Sequence, residues 1–356
     1  MLSPRSVDYS EKMMKVLLFE WLTGGGLWVD QRQPDAGCST QRQGWEMMAS
    51  MAVDFRAAGI EIVVPIDDRL GEPLQNLPAD INVLPIRSAD DLVPCLTKYA
   101  AMTDYIMLIA PECDMRLLKC VHWMDRVCDK LISPNAQFVE IASCKLLTTD
   151  YFQSQGIEAL PHGMRLSTFT QENWRQRVQL PAVLKPIDGA GGEDVRLITH
   201  WSELDIPLAK PADQYRIERF VTGVPVSVSV LCGETSQILT PTGQIFDREP
   251  FGNYVGAQYP LAPGLSDRAI RLAEAAIKAL PETKGYVGID MIISDTAEEF
   301  DCLIEVNPRL TMSYLKLREI YKENLAMLML ETACPSANAS VKSPVNPRCI
   351  FRSPNP

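Results

Sequence analysis

Histidine is nearly missing from this 356-residue chain: only His122, His162 and His200 occur, dispersed and without metal-ligand spacing. Zinc chemistry and a histidine-based nucleophilic triad therefore have little support. The ten cysteines are scattered with no C-x-x-C pair and no legible export signal, so reduced thiols in a cytoplasmic protein are expected. Long apolar runs are absent too. Val16 to Leu22 is interrupted by Glu20 and too short to span a bilayer, so it reads as a first strand. Basic residues are in deficit, 34 against 45 acids for a formal charge of -11, which argues against a nucleic-acid or anionic-membrane surface. A phosphate site, if the chain has one, must be a local positive pocket in a negative protein. Internal repeats are absent, Met1 to Met13 lacks pattern, and the Pro-, Ser- and Asn-rich stretch Pro335 to Pro356 reads as a disordered tail.

What is present is a cluster of acids in apolar surroundings. Leu303 to Thr311 reads L-I-E-V-N-P-R-L-T, and Gly-Tyr-Val-Gly-Ile-Asp ends upstream at Asp290. Asp290 and Glu305 each fall inside a short β-branched run, Val287 to Ile293 and Cys302 to Val306, which predicts two adjacent strands. Glu305 and Asn307 are two apart and share a strand face. With Asp290 they make a set of hard oxygen ligands suited to Mg²⁺ or Mn²⁺, and Arg309 places a fixed positive charge on the same face. A plain salt bridge of these acids to Arg309 would account for the segment taken alone.

Pro181 to Ile198 predicts a strand ending in Lys185, a glycine-rich turn over Gly189, Gly191 and Gly192, and a second strand from Val195. Such a turn leaves backbone N–H groups free to approach a phosphate, with Lys185 aimed at the same oxygens. No Gly-Lys-Ser/Thr follows and the loop opens a strand, so it is neither a Walker loop nor a dinucleotide fingerprint. A hairpin lid over a nucleotide triphosphate fits; a tight hairpin with an unrelated lysine is the plainer alternative.

The first third of the chain alternates strands (Lys15 to Glu20, Ile60 to Pro65, Ile81 to Leu84, Tyr105 to Ile109) with helices (about Gly44 to Ala58, Ala89 to Tyr99, Met115 to Asp129). That pattern predicts a small parallel sheet, which binds ligands at the carboxyl ends of its strands. Trp45, Met48, Met51, Ala52 and Phe55 recur at helical spacing and read as core. Thr23-Gly24-Gly25-Gly26 and Pro111-Glu112 lie at strand ends, making Glu20 and Glu112 candidates to hold a cationic amine, or else solvated loop acids. A further helix is expected over Ser266 to Leu280 with Ser266 as N-cap, bracing the Asp290 strand.

In chain order, Ser143-Cys144-Lys145, Lys185 with its glycine turn, Ile217 to Gly223, Asp290, and Glu305-Val306-Asn307-Pro308-Arg309 resemble the ATP-grasp superfamily over roughly Leu131 to Leu330. The five segments together are specific; none is alone. The resemblance implies an α/β chain, α+β in its ATP lobes, with an ATP-grasp fold behind an N-terminal Rossmann-like domain. Its expected segments are a leader (1–13), the N-terminal domain (14–130), lobe A with the lid (131–216), lobe B with the metal site (217–332) and a tail (333–356). It implies ATP held by Lys145 and Lys185 on the α- and β-phosphates, by Gly189, Gly191 and Gly192 in the lid, and by an adenine hinge from Glu218 through Phe220 to Val221. It also implies Mg²⁺ on Asp290, Glu305 and Asn307, with Arg309 and Lys185 catalytic. Pro225 stands where many relatives carry the acid that holds the ribose, and Cys144 replaces a common Asp at a helix start assigned to Ser143; as a thiol Cys144 reads as packed rather than nucleophilic.

Those parts suit phosphoryl transfer from ATP to a carboxylate, giving an acyl phosphate that an amine attacks. F-E-W-L-T-G-G-G, I-A-P-E and the run Arg309 to Arg318 are similar to a subgroup related to tyramine-glutamate ligase of methanofuran-type cofactor synthesis. That similarity implies glutamate as carboxylate, an aromatic amine as acceptor, and Ser313 and Tyr314 as substrate residues. A D-alanine-D-alanine-type ligase and a nucleotide-binding regulator without turnover are the alternatives. The expected partners are small molecules, with a homodimer as candidate assembly.

Overall fold

Strand alternation decides the first layer. β1 (Lys15–Glu20), β2 (Glu61–Asp67), β3 (Asn82–Ile86) and β4 (Tyr105–Ile109) form a parallel sheet in the order β3-β2-β1-β4. Leu17, Phe19, Val63, Ile106 and Leu108 point to one face and Val16, Leu18, Ile62, Val64 and Met107 to the other, so both faces need a cover. α1 (Ser39–Ala57) covers one through Met47, Met48, Met51 and Phe55. α2 (Ala89–Met102) and α3 (Arg116–Val127) cover the other through Leu92, Leu96, Leu117, Val121 and Met124. The computed structural model describes residues 13–35, 37–70, 77–157, 159–161, 163–168, 178–189, 191–192, 194–205, 207–248, 251–295 and 300–336. Residues 1–12 of the expected leader and 337–356 of the expected tail lie outside these.

α1 starts at Ser39, more than a turn before the expected Gly44. Gly44 looked like a boundary because glycine is a poor helix former. It is interior because a Cβ there would come 2.7 Å from Glu20 Oε1 and 2.8 Å from its carboxyl carbon.

α4 (Ala136–Ala142) and α5 (Lys145–Ser154) lead into a second sheet. Ser143 is the C-cap of α4, and Cys144, not Ser143, is the N-cap of α5, without a side-chain cap bond. β5 (Gly163–Arg165), β6 (Ala182–Pro186), β7 (Arg196–Ile198) and β8 (Tyr215–Arg219) pair antiparallel in the order β5-β8-β6-β7. Ala182, Leu184, Tyr215 and Ile217 fill the core on one face. By the period of two, Lys185, Arg216 and Glu218 line the other.

The third sheet is β9 (Val224–Cys232), β10 (Gln237–Ile238), β11 (Thr242–Phe246), β12 (Tyr254–Gln258), β13 (Gly285–Ile293) and β14 (Cys302–Asn307), ordered β12-β11-β9-β13-β14 with β10 on β9. Val226, Val228, Ile289, Met291 and Val306 face a core closed by α6 (Pro263–Ala279), whose Ala269, Ala273 and Ala276 permit close approach. α6 begins at Pro263, with Ala262 as N-cap rather than Ser266, because proline suits the first helical position. α7 (Ser313–Ile320) and α8 (Leu325–Ala333) return to the first sheet, where Tyr314, Leu317, Leu325 and Leu330 share a core with α1 and with Leu231 and Tyr286 of the third sheet. Ala333 therefore ends a helix, and Cys334 packs on that core.

Candidate active site

The acidic cluster forms at the β13–β14 pairing. Asp290 lies opposite Glu305, and Gly288 opposite Asn307, with a register shift just beyond Asp290. Asn307 Nδ2 donates to Asp290 Oδ2 at 3.0 Å and Gln244 Nε2, from β11, donates to Oδ1 at 3.2 Å. Burial pushes Asp290 up to about 6, helped by Glu305 and opposed by Ser227, Asn307 and Arg309. A buried acid in that condition lacks positive charge. No group of three His, Cys, Asp or Glu able to hold a metal occurs among the described residues. The site's donors are thus two carboxylates and an amide, which fits an ion that takes its remaining ligands from phosphates and water, as Mg²⁺ does.

Lys145 reaches this cluster from the start of α5. Its Nζ donates to Glu305 Oε1 at 2.8 Å and to the Gly189 carbonyl at 2.9 Å. Burial works against its charge, but Glu305 outweighs it and the pKa lies above the ordinary lysine value. Lys185 is ion-paired with Glu218 on the inner face of the second sheet. Its pKa is lowered, by burial foremost, with Glu218 pulling the other way and Lys145 adding to the fall. Glu218 also accepts from Arg216 Nε at 2.7 Å, and Arg216 donates to Thr149 Oγ1 at 2.7 Å and the Pro161 carbonyl at 2.9 Å. The Glu218 side chain therefore belongs to this buried charge network, leaving backbone to any hinge at 218–221. Arg216 escaped the sequence reading; its signal was its place two residues before Glu218 on the same strand face.

Gly191 and Gly192 adopt φ of 66° and 75°, which favours glycine, and a Cβ on Gly191 would stand 2.9 Å from Thr40 Cγ2 of α1. Ala190 and Glu193 of the turn lie outside the described residues. Beyond Glu218, Phe220 N donates to the Pro181 carbonyl at 3.1 Å, its ring meets Phe251 edge-on at 6.1 Å, and Val221 is half-buried beside it.

Two expectations about substrate residues change. Glu112 does not stand free for an amine: Arg309 Nε lies 2.9 Å from its Oε1, and Arg309 Nη2 donates to its Oε2 at 3.0 Å. Tyr314 lies in the core at 1% exposure, its hydroxyl donating to Asp54 Oδ2 at 2.5 Å and its ring against Tyr286. Ser313 is buried at the first turn of α7. Both follow Arg309 closely in sequence, but Tyr314 is committed to Asp54 and Tyr286 in the core. Glu20 bonds its own loop, accepting from Thr23 N and Oγ1 at 2.7 Å each and from Leu22 N at 3.1 Å. Burial pushes its pKa up to about 7 against those bonds and the charge of Arg309.

Lysines from one sheet and one helix, acids from a second sheet, and an arginine pinned to a third layer thus meet at one junction. Residues 142–313 match the ATP-grasp domain family, and the chain carries an ATP-grasp domain there. It is similar to tyramine–L-glutamate ligase of Methanocaldococcus fervens, 26% identical over 230 residues, 65% of this chain and 66% of that protein. The corresponding Methanocaldococcus jannaschii ligase is 25% identical over 65% of this chain and 63% of its own length. The match thus spans slightly less than two thirds of these relatives. Among solved structures, an Archaeoglobus fulgidus protein named for the ATP-grasp superfamily superposes with TM-score 0.66 at 20% identity, covering 90% of this chain and 89% of the other. D-alanine–D-alanine ligase from Bacillus anthracis, complexed with ATP, gives 0.61 at 16% identity over 92% and 99%. No described helix is long and apolar enough to cross a membrane.

Proposed function

We propose that the chain is an ATP-dependent ligase that joins a carboxylate to an amine through an acyl phosphate. The observation carrying this is the meeting of Lys145 with Glu305, beside Asp290 and within reach of Arg309's field, at a junction of separate layers. Lys145 and Lys185 would bind the α- and β-phosphates, and Gly189, Gly191 and Gly192 would close over them. Asp290, Glu305 and Asn307 would hold Mg²⁺, which when bound supplies charge neutralisation between the phosphates. A substrate carboxylate oxygen attacks the γ-phosphorus, the bridging P–O bond breaks and ADP leaves. The amine nitrogen then attacks the acyl carbon, phosphate departs, and the surplus proton goes to solvent. Arg309 stabilises the oxyanions of both steps, and the closed lid limits hydrolysis.

The names of the relatives favour glutamate as the carboxylate and a tyramine-like amine as acceptor. Cys38, Cys95, Cys113, Cys120, Cys128, Cys144, Cys232 and Cys334 are free thiols, which suits the cytoplasm. The test is ADP release from ATP and Mg²⁺ with L-glutamate and tyramine, each omitted in turn. Turnover requiring both is expected. ATP binding without turnover, across a panel of amino acids and amines, would favour the regulator instead.

A further inference from the structure

Glu112 follows β4 at the carboxyl edge of the parallel sheet and is 3% exposed. Its carboxylate grips Arg309 along one side of the guanidinium, at 2.9 and 3.0 Å, while Nη1 donates to the Leu310 carbonyl at 3.1 Å. Nη1 and Nη2 thus hydrogen-bond groups outside the acidic cluster, and Nε lies within ion-pair distance of Glu112 without a hydrogen bond of its own. Yet Glu305 and Asp290 also attract that charge. Both raise its pKa through their charge, and Glu305 stands four residues back on the same chain. An arginine left to turn would fold onto them and occupy the place a divalent cation needs.

The loop carrying Glu112 is itself held in an unusual shape. Asp114 and Met115 both adopt left-handed φ, 56° and 57°, which non-glycine residues keep only where surroundings impose it. One such restraint is visible: Asp114 N donates to Asp188 Oδ2 at 3.0 Å, just before the glycine turn. A buried ion pair is by itself weak grounds for stability, because desolvation offsets attraction. A fork fixed at both ends, by contrast, loses little rotamer freedom when it meets a reacting oxygen.

We propose, resting on the ligase reading above, that Glu112 is a positioning residue: it holds Arg309 off the metal-binding carboxylates and aims it at the transferring phosphoryl group. It does not bind the amine. Hydroxylamine, which traps an acyl phosphate as a hydroxamate, gives the assay with ATP, Mg²⁺ and L-glutamate. Glu112→Gln is expected to lower kcat about 100-fold, the scale of a displaced catalytic group, with KM for L-glutamate and for ATP at saturating Mg²⁺ within about threefold. With ADP in excess, the calorimetric dissociation constant for Mg²⁺ should rise about tenfold as Arg309 competes for the acids, as expected when a supporting partner of a metal site is lost. Glu112→Asp, which keeps the charge on a shorter stem, should lie between; it carries the test if the Gln variant does not fold. Added to Arg309→Lys, Glu112→Gln should cost less than about threefold more, since both act through one group.

Unchanged kcat and Mg²⁺ affinity would overturn the inference. So would losses that multiply with Arg309→Lys, or a raised KM for tyramine at constant kcat, which would return Glu112 to the amine. A wild type that forms no hydroxamate with L-glutamate or any amino acid in a panel sinks the ligase reading and the inference with it. Wild-type turnover with an indifferent Glu112→Gln sinks the inference alone.

Discussion

Glu20 shows how much chemistry one buried carboxyl carries. Its pKa is raised from 4.5 to about 7 chiefly by burial. Between those values the folded chain keeps a proton that the unfolded chain has released, so this residue's contribution to stability falls as pH rises and reaches its full penalty above about 7. The shift corresponds to about 3 kcal/mol. Urea melts of wild type and Glu20→Gln at about pH 5 and about pH 8 should show wild type losing most of that, about 2–3 kcal/mol, more than the variant. Parallel pH dependence would return the group to an ordinary titration. Lys185 makes a different prediction. Lys185→Met keeps the stem, deletes the charge and leaves Glu218 to Arg216, so ATP affinity by calorimetry should fall by about 1–3 kcal/mol. Equal affinity would make Lys185 a lysine of the Glu218 network and nothing more.

At the scale of elements, α1 inverts the usual rule for glycine. Alanine in a helix interior is favoured over glycine by about 1 kcal/mol. At position 44 its methyl would meet the Glu20 carboxylate at 2.7 to 3.0 Å. Gly44→Ala should therefore destabilise, by about 1–2 kcal/mol net of its helix gain, the cost of overpacking. A stabilised variant in thermal melts would show that Glu20 moves aside freely. Long, strongly patterned elements were legible from sequence: β1 and β4 match their expected bounds, because alternation and apolar runs are local properties. The starts of α1, α5 and α6 were not. In each the decisive contact or cap lies elsewhere: Glu20 against Gly44, Cys144 taking the cap from Ser143, and Pro263 setting the first turn.

Across the whole molecule, the candidate ligands were readable because Asp290, Glu305 and Asn307 sit on adjacent strands at fixed period, and the structure pairs Asp290 with Glu305 while Asn307 lies opposite Gly288. What was not readable is how residues far apart in the chain share charges. Glu112 and Arg309 are separated by 197 positions, and Arg216 meets Thr149 across 67. No local pattern announces such a pair. The core follows the same logic, since Tyr314 and Leu330 close on the distant α1 as well as on the sheet that precedes them.

The Arg309–Glu112 contact bears on how such proteins can be recombined. The matched segment, residues 142–313, ends after Arg309 but does not contain its carboxylate partner. A chimera that joined this segment to another front sheet would inherit the arginine with its counter-charge missing, unless the new sheet offered an acid after its corresponding strand. The unit that can be exchanged between chains is therefore larger than the unit that family comparison delimits, and its border follows a guanidinium rather than a linker.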